Sequence, residues 1–217
     1  VEILKNGKED DFGQDIIPNM LKSHEVFGYP FMRENRIQDY VYKTTENGDQ
    51  KLSLDPHTPD SAYWRDVGTL DAYWNANMDL SGMDPYFNLY GRNWPIHTYQ
   101  VVAPPAKFVF SSEAVKGARM GIASDSLVSP GCIVSGIVRN CVLSCNVAIG
   151  KWATVDESVI LEGVVVGQHC KIKKAIIDKG NVIPAGTEIG QDPRKDAETF
   201  TVTERGIVVV PKGYFSG

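Results

Sequence analysis

The sequence has 217 residues, 42% hydrophobic and 23% charged, with a formal net charge of −5 at pH 7. That length allows one or two domains with enough apolar material for a core. The acidic balance argues against nucleic acid or an anionic membrane as main partner, since both demand an excess of Lys and Arg, and no apolar run approaches the roughly 18 residues of a membrane span.

In chain order, Val1 to Leu4 reads as the end of a strand, and the absence of an initial Met suggests a fragment of a longer protein. Asp11-Phe12-Gly13-Gln14 has the pattern of a helix start, Asp11 as N-cap and Gln14 completing a capping box, with Pro18 ending or kinking the helix. Val26 to Arg33 alternates loosely, as a strand would. Tyr40 to Tyr42 and Lys51 to Leu54, separated by Glu46-Asn47-Gly48-Asp49, predict a hairpin. A strand ending at Arg65-Asp66 is expected next, then a helix capped by Thr69, with Asp71 at its positive end and Leu70, Tyr73, Trp74 and Met78 on one face. This puts Asp66 at a carboxyl strand end, where open α/β sheets bind ligands. Residues 83–99 are irregular and aromatic, and Ala103-Pro104-Pro105-Ala106-Lys107 reads as a stiff connector.

From Val128 to Ile189 an aliphatic residue returns every five or six positions, a spacing that fits neither a helix nor a half-buried strand. Grouping every third one produces three columns: Val128, Leu143, Ile160, Ile177; Ile133, Ile149, Val166, Ile183; and Val138, Val155, Ile172, Ile189. Residues suited to corners follow them, namely Gly150, Asp156, Gly167, Asp178, Pro184 and Gly190. The pattern predicts a three-faced parallel β-helix of about four coils. Asp192 to Glu198 is a polar excursion, and Gly206 to Val210 a last apolar strand that covers the open end. The cysteines Cys132, Cys141, Cys145 and Cys170 make no CxxC pair, and His169 beside Cys170 has no zinc spacing, so they read as small buried residues of a reduced, cytoplasmic protein.

The succession of Asp11-Phe12-Gly13, Tyr63-Trp64-Arg65-Asp66-Val67-Gly68-Thr69, Arg92-Asn93-Trp94-Pro95-Ile96, Pro104-Pro105-Ala106-Lys107-Phe108 and the repeats ending in Ile176-Ile177-Asp178-Lys179 resembles the bacterial ADP-glucose pyrophosphorylases, or glucose-1-phosphate adenylyltransferases. The likeness runs along essentially the whole chain but covers only the C-terminal half of that enzyme. It implies an α/β plus all-β architecture: the C-terminal part of a Rossmann-like nucleotidyltransferase domain at 1–100, a linker at 101–125, and a left-handed β-helix at 126–217 for regulation and oligomerisation. The family's Gly-rich nucleotide loop, its first metal-binding Asp and its sugar-phosphate Glu-Lys pair are missing from this sequence, so the fragment alone is expected to be inactive.

The implied reaction makes ADP-glucose and pyrophosphate from ATP and glucose 1-phosphate, with Mg²⁺ as cofactor, in glycogen synthesis. Asp66 matches the family's second metal-binding carboxylate and is the candidate catalytic, metal and substrate residue; without the resemblance it reads as a turn-forming Asp. Asp11 and Phe12 fall near the glucose pocket by resemblance, although capping explains Asp11 equally well, and Arg65 reads as pairing with a nearby carboxylate. Lys179 and Lys212 match basic positions that bind a phosphorylated glycolytic effector, with Lys171, Lys173 and Lys174 adding local charge. A homotetramer is implied. Two other readings stand beside this one: a hexapeptide-repeat acyltransferase with His169 as base, although a corner residue explains His169 better, and a non-catalytic oligomerisation module.

Overall fold

The computed structural model describes residues 11–82, 85–109 and 120–216, and the chain divides into two compact units, 1–36 and 37–217. The strand expected at Val1 to Leu4 lies outside the described residues.

In the first unit Asp11 caps a π-helical turn, Phe12–Ile16, accepting the N–H groups of Gly13 and Gln14, each at 2.7 Å. The reciprocal partner is Asp15, whose Oδ2 accepts the Asp11 N–H at 3.4 Å, rather than Gln14. The chain continues as α1, Ile17–Met20, and Pro18 sits in its first turn. A missing N–H is tolerated there, so Pro18 begins this segment instead of ending it. The strand expected over Val26 to Arg33 does not form: residues 25–30 are irregular, and Phe31–Glu34 is a short helix, α2. Weak alternation does not outweigh the lack of a pairing strand, and Pro30 supplies the backbone angle from which the helix starts.

The second unit opens with the expected hairpin, β1 (Asp39–Thr44) and β2 (Gln50–Asp55), antiparallel with Tyr40 opposite Leu54 and Tyr42 opposite Leu52. A 3₁₀ turn, Pro59–Ala62, precedes a stretch at 63–68 with no regular secondary structure, so the strand predicted to end at Arg65-Asp66 does not form. Helix α3, Leu70–Met78, follows as predicted, with the Thr69 hydroxyl accepting the Ala72 N–H at 3.1 Å.

The solenoid is built from short parallel strands, three to a coil. The first coil holds β3 (Lys107–Phe108), β4 (Ile122–Ser124) and β5 (Leu127–Val128); the second holds β6 (Ile133–Val134), β7 (Ile137–Arg139) and β8 (Val142–Leu143). The third holds β9 (Ala148–Ile149), β10 (Thr154–Asp156) and β11 (Val159–Ile160); the fourth β12 (Val165–Val166), β13 (Lys171–Lys173) and β14 (Ala175–Ile177). A fifth level begins with β15 (Val182–Ile183) and β16 (Glu188–Ile189). Helix α4 (Pro193–Thr199) and β17 (Thr201–Val202) interrupt it before β18 (Val208–Val210) completes it, parallel to β14. Two strands of the first coil therefore lie within 101–125, the span expected to be a linker.

Two of the three columns face inward as read, and the third does so at three of its four members, Ile133 being the exception. Register aligns Val128, Leu143, Ile160, Ile177 and then Val210 on one face, and Ala123, Val138, Val155, Ile172 and Ile189 on another. On the remaining face it is Val134, not Ile133, that stacks with Ile149, Val166 and Ile183. Val134 is fully buried while Ile133 is 48% exposed. Side chains alternate along a strand, so a slip of one residue exchanges inside for outside. Each fully buried Val, Leu or Ile contributes about 1.5–3 kcal/mol, and Cys132, Cys141, Cys170, Val147 and Val164 fill the gaps between the columns.

The corners follow a rule the repeat spacing did not disclose. Left-handed backbone recurs seventeen residues apart at Asn140, Glu157 and Lys174, at Asn146, Gly163 and Gly180, and at Trp152, His169 and Gly186. Of the residues expected to turn corners, Gly190 alone is left-handed (φ 75°). Gly150 and Gly167 are needed for close approach instead: a Cβ would lie 2.7 Å from the carbonyl carbon of Gly167 and 2.6 Å from the Ala185 nitrogen respectively. Asp192 caps α4, and buried Asp196 accepts the Gly190 N–H with both carboxylate oxygens, at 3.2 and 3.1 Å. Phe200 and Phe215 pack on the core at this end, so the open coil is closed by the α4–β18 excursion.

Candidate functional site

Helix α3 lies on the outer side of the β8–β11–β14–β18 face. Its Tyr73, Trp74 and Met78 pack against Val159, Ile176, Ile207 and Val209, and Trp74 Nε1 donates to the Glu157 carbonyl at 2.9 Å. The helical periodicity of these side chains provides the stripe, and the outward residues of the sheet provide the surface.

The turn that carries Asp66 is tied to both ends of this helix. The Asp66 Oδ1 accepts the Gly68 N–H at 2.9 Å, an Asx turn that leads directly into the Thr69 cap. Preceding it, Arg65 Nε donates to Asp79 Oδ2 at 2.6 Å, and Asp79 is the C-cap of α3. The guanidinium also lies 5.6 and 5.8 Å from the ring centres of Tyr63 and Tyr86. The carboxylate expected to partner Arg65 is thus Asp79. Asp66 itself is exposed. It stands on a turn, not on the carboxyl end of a strand, because no described strand pairs with residues 63–68.

With one oxygen committed to Gly68, the Asp66 carboxylate retains a second for a hard cation. Among the described residues no three His, Cys, Asp or Glu side chains cluster to hold a metal. A lone exposed carboxylate with a free oxygen is the kind of donor that a hard cation such as Mg²⁺ would take beside phosphate oxygens and water.

Asp11 and Phe12 belong to the first unit: Asp11 is occupied as a helix cap, and the Phe12 ring is 60% exposed. The two lysines singled out in the solenoid are brought to one corner. Ile177 pairs with Val210 and the Asp178 N–H donates to the Val210 carbonyl at 3.0 Å, so the chain turns outward at Lys179 and Lys212 on adjacent levels. Buried Asn181 ties the two turns together: its Nδ2 donates to the carbonyls of Asp178 (2.7 Å) and Pro211 (3.0 Å), and its Oδ1 accepts the Phe215 N–H (2.9 Å). Both lysines are exposed. Lys171 is bound to Glu188 at 2.8 Å and Lys174 to the Arg205 carbonyl at 2.6 Å.

His169 occupies a left-handed corner and stacks on Trp152, the corner residue of the preceding coil, with ring centres 4.8 Å apart and planes 17° off parallel. Three anchoring residues went unrecognised in the sequence. Asn181 could have been found as the polar member of an otherwise apolar series with Val147 and Val164. Asp39 and Thr203 carry no local signal, since their partners are remote in sequence.

A nucleotidyl transferase family model matches residues 2–82, and a model described as GlmU-like, C-terminal hexapeptide matches 104–210. Among curated proteins, the glucose-1-phosphate adenylyltransferase of Koribacter versatilis is 44% identical over 220 residues, covering 99% of this chain and 46% of its own length. Those of Methylococcus capsulatus and a Shewanella species are 45% and 46% identical over 94% and 96% of the chain, and 42% and 44% of their own lengths. The chain therefore spans under half the length of these relatives. Along nearly all of its residues the chain is thus similar to under half of the length of glucose-1-phosphate adenylyltransferases, with a nucleotidyl transferase segment followed by hexapeptide repeats.

Proposed function

We propose that this chain is part of an enzyme that joins glucose 1-phosphate to the adenylyl group of ATP. A phosphate oxygen of the sugar phosphate attacks the α-phosphorus, the bond to the β-phosphate oxygen breaks, and ADP-glucose and pyrophosphate leave. ADP-glucose would serve as glucosyl donor for glycogen. The observation that carries the reading is the identity over 99% of the chain with an adenylyltransferase, across a stretch that includes the Asp66 turn.

In this reading Asp66 supplies one carboxylate ligand to Mg²⁺, and the ion would neutralise phosphate charge in the transition state. The protein's own part is positional: the Gly68 N–H orients one oxygen of Asp66, and the Arg65–Asp79 and Thr69 contacts fix the turn to α3. Lys179 and Lys212, side by side at one corner, suit a phosphorylated glycolytic effector as paired point charges. A homotetramer in the cytoplasm completes the proposal. Replacing Asp66 by Asn in the full-length enzyme should lower turnover by about two orders of magnitude or more. Near-normal turnover would reject the role of Asp66.

His169 does not favour acyl transfer, since its backbone angle and its stacking on Trp152 account for its presence at the corner.

A further inference from the structure

The position of Asp66 depends on where α3 lies, and beside the Trp74 bond to Glu157 a second polar contact reaches α3 from far along the chain. Asp71, in the first turn of the helix, accepts a hydrogen bond from the Thr203 hydroxyl at 2.6 Å, across 132 residues. The Thr203 oxygen in turn accepts the Ile207 N–H at 3.1 Å, and the Thr203 N–H donates to the Ile207 carbonyl at 3.0 Å. Thr203 thus closes the tight turn between β17 and β18 and reaches out to the helix with its remaining donor.

We propose that Thr203 and Asp71 are positioning residues for Asp66: the β17–β18 turn holds the N-terminal end of α3, and so the turn that carries the carboxylate, at a set height on the solenoid face. This rests on the reading of Asp66 as an acidic ligand in the transfer site. Apolar packing of Tyr73, Trp74 and Met78 sets the distance of the helix from the sheet, but such contacts are non-directional and permit sliding along the groove. A short charge-assisted hydrogen bond at the first turn, five residues after Asp66, supplies the missing direction. The Trp74 bond to the Glu157 carbonyl supplies a second point, so the helix is fixed in both position and rotation.

The test uses the full-length enzyme. Thr203→Val keeps the shape of the side chain and removes the hydroxyl. A displaced metal ligand weakens the transition state more than it weakens substrate binding, so kcat falls by about tenfold or more while KM for ATP and for glucose 1-phosphate stays within about twofold. Thr203→Ser restores kcat, and the double variant Asp71→Ala/Thr203→Val falls no further than the worse single one, as expected of two halves of one contact. Wild-type kcat in folded Thr203→Val overturns the proposal, and if Asp66→Asn is inactive in the same assays the role of Asp66 stands. Near-normal turnover of Asp66→Asn overturns both. If Thr203→Val does not fold, Asp71→Ala reads the same contact from the other side, and an unchanged kcat there overturns the proposal equally.

Discussion

Asp39, the first residue of β1, accepts the backbone N–H groups of Arg92 and Asn93 on one carboxylate oxygen, at 2.6 and 3.0 Å, and that of Tyr40 on the other, at 2.7 Å. A buried carboxylate at the root of the hairpin thereby holds the irregular stretch around Asn93-Trp94-Pro95, which has no regular element of its own. The Asn93 side chain adds a bond to the Gln38 carbonyl on the same strand root.

These bonds, that from Asn93 foremost, hold the Asp39 carboxyl below the ordinary aspartate range. A depressed folded-state pKa contributes stability that is complete above the unfolded value, about 3.9, and is lost as pH falls through the lower folded value. Thermal unfolding of wild type and Asp39→Asn should therefore differ by several degrees at pH 7, and the gap should close only below about pH 4. A gap that stays constant down to pH 2 would show that the charge of Asp39 is not what holds the loop.

The register of β6 predicts opposite outcomes for neighbouring residues. Val134→Ala empties a fully buried position and should cost about 2 kcal/mol. Ile133→Ala removes an outward side chain and should stay within about 0.5 kcal/mol. Denaturant titration of both variants checks this, and equal losses would contradict the assigned register.

Asn181 joins the turns that carry Lys179 and Lys212. Replacing it by Leu leaves the Asp178 carbonyl and the Phe215 N–H without the Asn181 partner and the Pro211 carbonyl with only the Tyr214 N–H, at a cost of about 2–4 kcal/mol. Faster amide exchange at Phe215 and loss of activation by a phosphorylated effector should accompany it, whereas Lys179→Ala should abolish activation while leaving exchange at Phe215 as in wild type. Protected exchange in Asn181→Leu would show that the clamp is dispensable.

Burial pushes the Cys141 thiol up to about 12, so almost none is thiolate at pH 8. Cys145 is partly exposed. A thiol-alkylating reagent at pH 8 should label Cys145 first and Cys141 only after unfolding, which peptide mass spectrometry resolves. Early labelling of Cys141 would mean that the second and third coils open readily.

Sequence alone determined the solenoid, its period and every inward position of the three columns but that of Ile133, because a stack of identical coils imposes one apolar requirement per face and repeats it until the pattern is unmistakable. It also determined the hairpin and α3, whose signals are local: β-formers either side of an Asn-Gly turn, and a Thr cap before a helical stripe. It could not decide between Ile133 and Val134, since both are β-branched and the choice depends on pairing with Ile149. Nor could it show that Lys179 and Lys212 share a corner, that Asp39 holds the loop at Asn93, or that Thr203 reaches Asp71. Those relationships join residues 33 to 132 positions apart, and proximity between remote groups leaves no periodic trace in either of them. The tertiary fold decided them by bringing coil upon coil and helix upon sheet, and it left Asp66 on a turn where a strand end had been expected.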